Sequence, residues 1–217
     1  MFLILKELRQ EINKKEVFIP MITFGITICL LFAFSFNSLP INFKFLLPGL
    51  IWMTFFFISI LGLLRSFVSE TRMSAIELLL SSPIDRSLIY FSKLISFWII
   101  LTISELAILP FFQLFLSLDL NKQWINIILV ITLTNWAISA SGILISGITC
   151  RTSMGEVLLP ILLFPILSPV LISTVKLTID ITQNTFVINN VWIMLITTFS
   201  ILFTLIGFLI FDIILYE

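Results

Sequence analysis

The chain has 217 residues, of which 59% are hydrophobic and 11% charged; its twelve basic and twelve acidic side chains cancel, and its mean hydropathy is +1.20. Such a composition belongs to an integral membrane protein rather than a water-soluble domain. With no histidine the chain lacks the common general base, His-based zinc or haem ligation and any Ser-His-Asp triad, and with no GxxxxGK[ST] loop it cannot hydrolyse ATP by the P-loop route.

The first 16 residues carry Lys6, Arg9, Lys14 and Lys15 beside Glu7, Glu11 and Glu16, with Phe2, Leu5, Leu8 and Ile12 at helical spacing. Two readings fit this arm: an amphipathic segment in the membrane interface, or a solvated start that sets topology. No cleavable signal peptide is expected, because the first apolar run follows this charged arm and is long enough to span. Uncharged windows at 17–36, 45–64 and 157–175 each match the roughly 17 to 25 residues that cross about 30 Å of hydrocarbon. Further apolar runs at 88–117, 124–149 and 191–213 bring the expected total to six transmembrane helices in a single all-α, polytopic permease-like domain over residues 1–217.

Between the second and third spans lies the segment 65–93, the one place inside the chain where charge gathers between long apolar runs. Ser74-Ala75-Ile76-Glu77 has the S-x-x-E form of a capping box, so a short helix is expected to begin there, with Ile76, Leu79 and Leu80 on one side. It should end before Ser82-Pro83, since proline disfavours helical geometry in the residue before it. Ser82 can then cap the next helix, with Pro83 at its first position and Asp85 in its first turn. The short helix either docks on a partner or lies on the lipid headgroups.

In the third span Glu105 is an ionisable group at a depth where charge is expensive, and it is expected to face the bundle interior. It could line a path for a polar cargo or hydrogen-bond to neighbouring helices. Asn135 in the fourth span is expected to act as interhelical glue, and Gly142 with Ser146 forms a small-xxx-small face suited to a dimer contact or to packing within the chain. Pro160, Pro165 and Pro169 each remove a backbone hydrogen bond from the fifth span, so a kinked or interrupted helix is expected, either as a substrate-facing element or as a static kink. Trp52, Trp98, Trp124, Trp192 and Tyr216 are read as headgroup-level anchors, with Trp52 and Trp98 set deeper. Cys29 and Cys150 suit neither a structural disulfide nor a CxxC pair.

Nine basic residues flank one set of span ends (Lys6, Arg9, Lys14, Lys15, Arg65, Arg72, Arg86, Lys93, Arg151) and three the other (Lys44, Lys122, Lys176). The positive-inside rule therefore places both termini and the 65–93 segment in the cytoplasm, or in the matrix of a mitochondrion.

Leu47-Pro48-Gly49-Leu50-Ile51-Trp52, then Arg65-Ser66-Phe67, then Ile76-Glu77-Leu78-Leu79-Leu80-Ser81-Ser82-Pro83, followed by Lys93, Trp98, Pro110 and the proline series Pro160, Pro165 and Pro169, resembles the pattern of the CcmB family. This family comprises membrane subunits of the cytochrome c maturation ABC transporter. The resemblance runs end to end, including length and span layout, with Leu64 where many relatives carry Glu and Ser74 where they often carry Gly.

It implies a permease subunit, not itself an enzyme, working with a CcmA-like ATPase, CcmC-like and CcmD-like haem-handling subunits and a CcmE-like haem chaperone, with two copies per complex in a bacterial inner or mitochondrial inner membrane. ATP would be used by the partner, haem would be handled by the complex without a cofactor bound directly to this chain, and nucleic acid is not an expected partner. The 74–83 helix would be the coupling helix, with Arg65, Arg72, Glu77 and Arg86 as polar contacts, Ile76 and Leu79 as apolar anchors and Pro83 as its boundary. Glu105, Pro160, Pro165 and Pro169 would be candidates for an intramembrane path. The competing reading is a non-transporting scaffold subunit, or the permease of another ABC exporter.

Overall fold

A computed structural model describes residues 17–36, 45–72, 86–116, 118, 123–149, 152 and 154–214. Among these residues all regular structure is helical: α1 (Phe18–Phe36), α2 (Leu47–Arg72), α3 (Arg86–Leu116), α4 (Trp124–Thr149), α5 (Gly155–Thr182) and α6 (Val191–Ile214). Each contains a window long and apolar enough to cross a membrane, making this a multi-pass membrane protein of six such helices. The N-terminal arm and the expected short helix at 74–83 lie outside the described residues.

Burial ranks the helices. In α4, 72% of the most apolar window is buried inside the protein, against 17% in α1 and 22% in α6. The reason is topological: α4 packs against α2, α3, α5 and α6, while the other five close a ring in the order α1, α2, α5, α6, α3 around it. Surface apolar side chains such as Phe34, Leu114, Ile161, Ile172, Met194 and Leu209 face outward, where lipid takes the place of water and exposure costs nothing.

Because α4 is enclosed, its side chains must be small or internally paired. Seventeen of its residues are buried, among them Ala137, Ser139, Ala140, Ser141, Gly142 and Ser146. A Cβ at Gly142 would come within 2.6 Å of Leu63 Cδ1 on α2, so the Gly142–Ser146 face serves packing within the chain and Gly142 is not a dimer contact.

The fifth helix is not interrupted. It runs for 28 residues through Pro160, Pro165 and Pro169. Proline at 169 cannot donate to the Pro165 carbonyl, but the neighbouring Ser168 hydroxyl donates to that oxygen at 2.8 Å and restores a partner inside the membrane. The helix also continues past residue 175, where charge first returns, and stops at a C-terminal motif with Asn184 in the left-handed region (φ 60°). There the Asn184 amide donates to the Ile181 carbonyl (3.2 Å) and the Thr185 amide to the Asp180 carbonyl (2.9 Å), the two bonds of a Schellman motif. Gln123 Nε2 at the start of α4 donates to Asn184 Oδ1 (2.9 Å), and Asn190 Nδ2 before α6 donates to Asp180 Oδ2 (3.0 Å), so three helix ends are tied together.

Indole and phenol groups hold the bundle from within. Trp52, 1% exposed, donates through Nε1 to Thr178 Oγ1 on α5 at 2.8 Å, and Trp98 Nε1 donates to the Thr132 carbonyl on α4 at 3.0 Å. Trp136, on α4, donates to Thr204 Oγ1 on α6 (3.1 Å) and packs edge-on to Trp98. Trp52 and Trp98 are thus interhelical ties rather than headgroup anchors, and Trp136 is a third such tie. Trp52→Phe keeps most of the ring's packing and removes the donor, while Thr178 Oγ1 keeps its own bond to the Thr174 carbonyl (2.8 Å); interhelical hydrogen bonds in membranes average about 0.6 kcal/mol, so a loss of about 1 kcal/mol is expected once the smaller ring is included. Unfolding titrations of purified protein in mixed detergent and SDS micelles measure it.

Candidate functional site

Two regions gather the residues that could carry function: the ends of α2 and α3 that flank residues 73–85, and the buried contact between α3 and α4.

At the first, the apolar part of α2 closes at Ser66 and the helix continues to Arg72. Arg65, on the last turn of the apolar window, is exposed. Arg72 is the final residue of α2 and Arg86 the first of α3, so the two helices deliver their basic termini to the same end of the bundle. Ile76, Glu77, Leu79 and Pro83 lie outside the described residues. Ser87, one residue into α3, donates to the Phe208 carbonyl of α6 at 3.2 Å. Three residues on, Tyr90 is wholly buried; its hydroxyl donates to the Ala140 carbonyl of α4 at 3.0 Å, with the Phe203 carbonyl of α6 as a second acceptor at 3.3 Å. The first turns of α3 are thus tied to both α4 and α6. Tyr90 was not singled out by its sequence context.

At the second, Glu105 has no exposed surface. Its Oε2 accepts a hydrogen bond of 2.8 Å from Nδ2 of Asn135 on α4, which also reaches Thr102 Oγ1 at 3.3 Å. Sequence reading treated Glu105 and Asn135 separately; the fold makes them one interhelical pair. The remaining atoms of that pair, Glu105 Oε1 and Asn135 Oδ1, have no hydrogen-bond partner among the described residues, and neither have the hydroxyls of Ser92, Ser96, Thr134, Ser139 and Ser146. Asn135, Ser139, Gly142 and Ser146 recur at helical spacing and give α4 a polar, small-residue stripe.

The candidate path residues are not brought together within the chain. Glu105 is interior, Pro160 is half-buried, and Pro165 and Pro169 are exposed on the outer face of α5. For metals or haem iron the chain offers little: no histidine exists, and among the described residues no three Cys, Asp or Glu side chains converge. Cys29 is a buried free thiol in α1.

Residues 1–211 match the family model described as CcmB protein. The chain is also similar to a protein named heme exporter protein B from Haemophilus influenzae, with 24% identity over 170 residues that cover 78% of this chain and 76% of that relative.

Proposed function

The chain belongs to the CcmB protein family, and from that premise we propose that it is the membrane permease subunit of an ABC transporter that exports or delivers haem for the assembly of c-type cytochromes. The observation that carries this reading is the family match across residues 1–211 on a bundle of six membrane-length helices. The similarity to a relative named heme exporter protein B supports haem as the cargo.

Under this reading the chain is not an enzyme. ATP is bound and hydrolysed by a separate CcmA-like subunit, and CcmC-like, CcmD-like and CcmE-like chains hold haem through their own ligands, because this sequence has no histidine to offer. Two copies of the chain sit over two ATPase subunits in a bacterial or mitochondrial inner membrane, with the termini and residues 65–93 on the ATPase side, as the nine-to-three distribution of basic residues favours. The 74–83 segment docks on the ATPase through Ile76 and Leu79, with Arg65, Arg72, Glu77 and Arg86 at the rim and Pro83 closing the helix. Nucleotide-driven closure then pushes on the start of α3, and the Tyr90 contacts carry that push into α4 and α6. ATP binding favours one packing of the bundle and hydrolysis the other, which needs only a differential affinity of the ATPase for the two states.

The test is co-purification from membranes. Glu77→Arg combined with Leu79→Asp inverts the rim charge and buries a carboxylate in the groove; recovery of the ATPase with the chain is expected to fall at least tenfold, and c-type cytochromes to disappear from the cells. Full ATPase recovery with this variant would rule out the coupling segment, and normal cytochrome maturation in cells lacking the chain would rule out the haem pathway.

A further inference from the structure

The hydrogen-bond pattern at the α3–α4 contact is incomplete in a specific way. Glu105 Oε2 is bonded to Asn135 Nδ2 at 2.8 Å, while Glu105 Oε1 and Asn135 Oδ1, the other ends of the same two planar groups, have no partner among the described residues. Both groups are fully buried. The hydroxyls of Thr134 and Ser139 on α4 do not supply the missing donors, since among the described residues both are themselves without a hydrogen bond. Backbone amides within α3 and α4 are committed to their own helices. Two acceptors left over on a carboxyl and a carboxamide that already share one bond are both satisfied by one hydrogen between them.

We propose that Glu105 and Asn135 form a neutral, doubly hydrogen-bonded acid–amide pair, in which Glu105 Oε1 carries a proton and donates it to Asn135 Oδ1 while Asn135 Nδ2 donates to Glu105 Oε2. Among the described residues the six helices place no basic residue near the middle of a span, where Glu105 lies. The α1 and α4 helices contain no charged residue, α2 none before Arg65 and α6 none before Asp212. On α5 the charges are Glu156 near its start and Lys176 and Asp180 near its end. On α3 itself Lys93 is 12 residues earlier, about 18 Å along the axis at 1.5 Å per residue.

The pair is therefore a proton-dependent latch between α3, the helix that leaves the 73–85 segment, and α4, the helix at the centre of the bundle. With the proton in place both groups are satisfied and α3 is fixed to α4. Loss of the proton removes one of the two bonds, leaves the Asn135 carbonyl oxygen without a donor and puts a charge at a fully buried position, so the contact is weakened. This pairing needs neither cargo nor partner chain.

Infrared spectroscopy of the purified chain in lipid at neutral pH tests it directly, because carboxyls facing water are ionised there and a neutral buried acid has its own carbonyl-stretch band, which shifts on exchange into D2O. Wild type is expected to show one such band that Glu105→Gln abolishes, while Glu105→Gln keeps wild-type thermal stability because an amide can make the same two bonds. Asn135→Val is expected to move the band to higher frequency as the carbonyl loses its donor. Absence of a Glu105-dependent neutral-acid band would overturn the protonated state, and a band that Asn135→Val leaves in place would overturn the pairing.

Discussion

Gly207→Ala is expected to destabilise the bundle by about 2 kcal/mol, against the roughly 1 kcal/mol gain that replacing glycine inside a helix brings by propensity alone. Gly207 lies in α6 beneath the Tyr90 ring, and a Cβ there would meet Cζ and the hydroxyl oxygen of Tyr90 closer than any real contact allows. The ring has little freedom to retreat. It is fully buried, its hydroxyl bonds to the carbonyls of Ala140 and Phe203, and Phe211 packs on it with ring centres 5.3 Å apart. Overpacking of this kind costs about 1–3 kcal/mol, and each interhelical bond that the displaced phenol gives up adds about 0.6 kcal/mol. SDS titration of the folded protein reads the sum. If steric conflict is the cause, Tyr90→Leu should lose little further stability in the Gly207→Ala background although it is costly alone; an alanine at 207 that matches or exceeds wild type would sink this account of the α3–α6 contact.

How much of this was readable beforehand depends on what a one-dimensional pattern contains. The apolar run at residues 17–36 and that at 124–149 end where α1 and α4 end, because a helix in a bilayer needs nothing more than length and apolarity to be recognised. The far end of α5 was not readable from charge. Lys176 is exposed and Asp180 half-buried, so their polar groups reach out while the backbone stays helical to Thr182, and the stop is set by Asn184 adopting φ 60°, which no hydropathy pattern records.

Contacts between helices were hidden for another reason. Sequence gives the depth of Glu105 and of Asn135 but not the rotation and tilt that point them at each other, and the ring order around α4 that does so is a property of all six helices together. The same holds for Trp52 and Thr178, 126 residues apart. Gly207 carries no mark at all until Tyr90 is seen against it. For the coupling segment, motif and resemblance remain the grounds, since Ile76, Glu77, Leu79 and Pro83 fall outside the described residues.

Asn135→Leu should destabilise the protein by about 2–3 kcal/mol, and adding Glu105→Leu should recover most of that loss. The single change removes the donor that satisfies Glu105 Oε2 and leaves a buried carboxyl with no partner on either oxygen. A buried polar group stripped of its partner costs about 1–3 kcal/mol, whereas replacing both partners with apolar groups of similar shape is close to neutral. Leucine at both positions also suits a site enclosed by hydrocarbon, so the double variant is expected within about 1 kcal/mol of wild type in SDS titrations. Its value lies in separating packing from transport. Since Glu105 is fully buried and pairs with Asn135, while Pro165 and Pro169 face outward, the pair is expected to matter through the α3–α4 contact, and c-type cytochrome levels in cells should follow stability across the three variants. A double variant that is as stable as wild type, inserts normally and binds the proposed ATPase, yet yields no c-type cytochrome, would show instead that the polar pair itself acts on cargo.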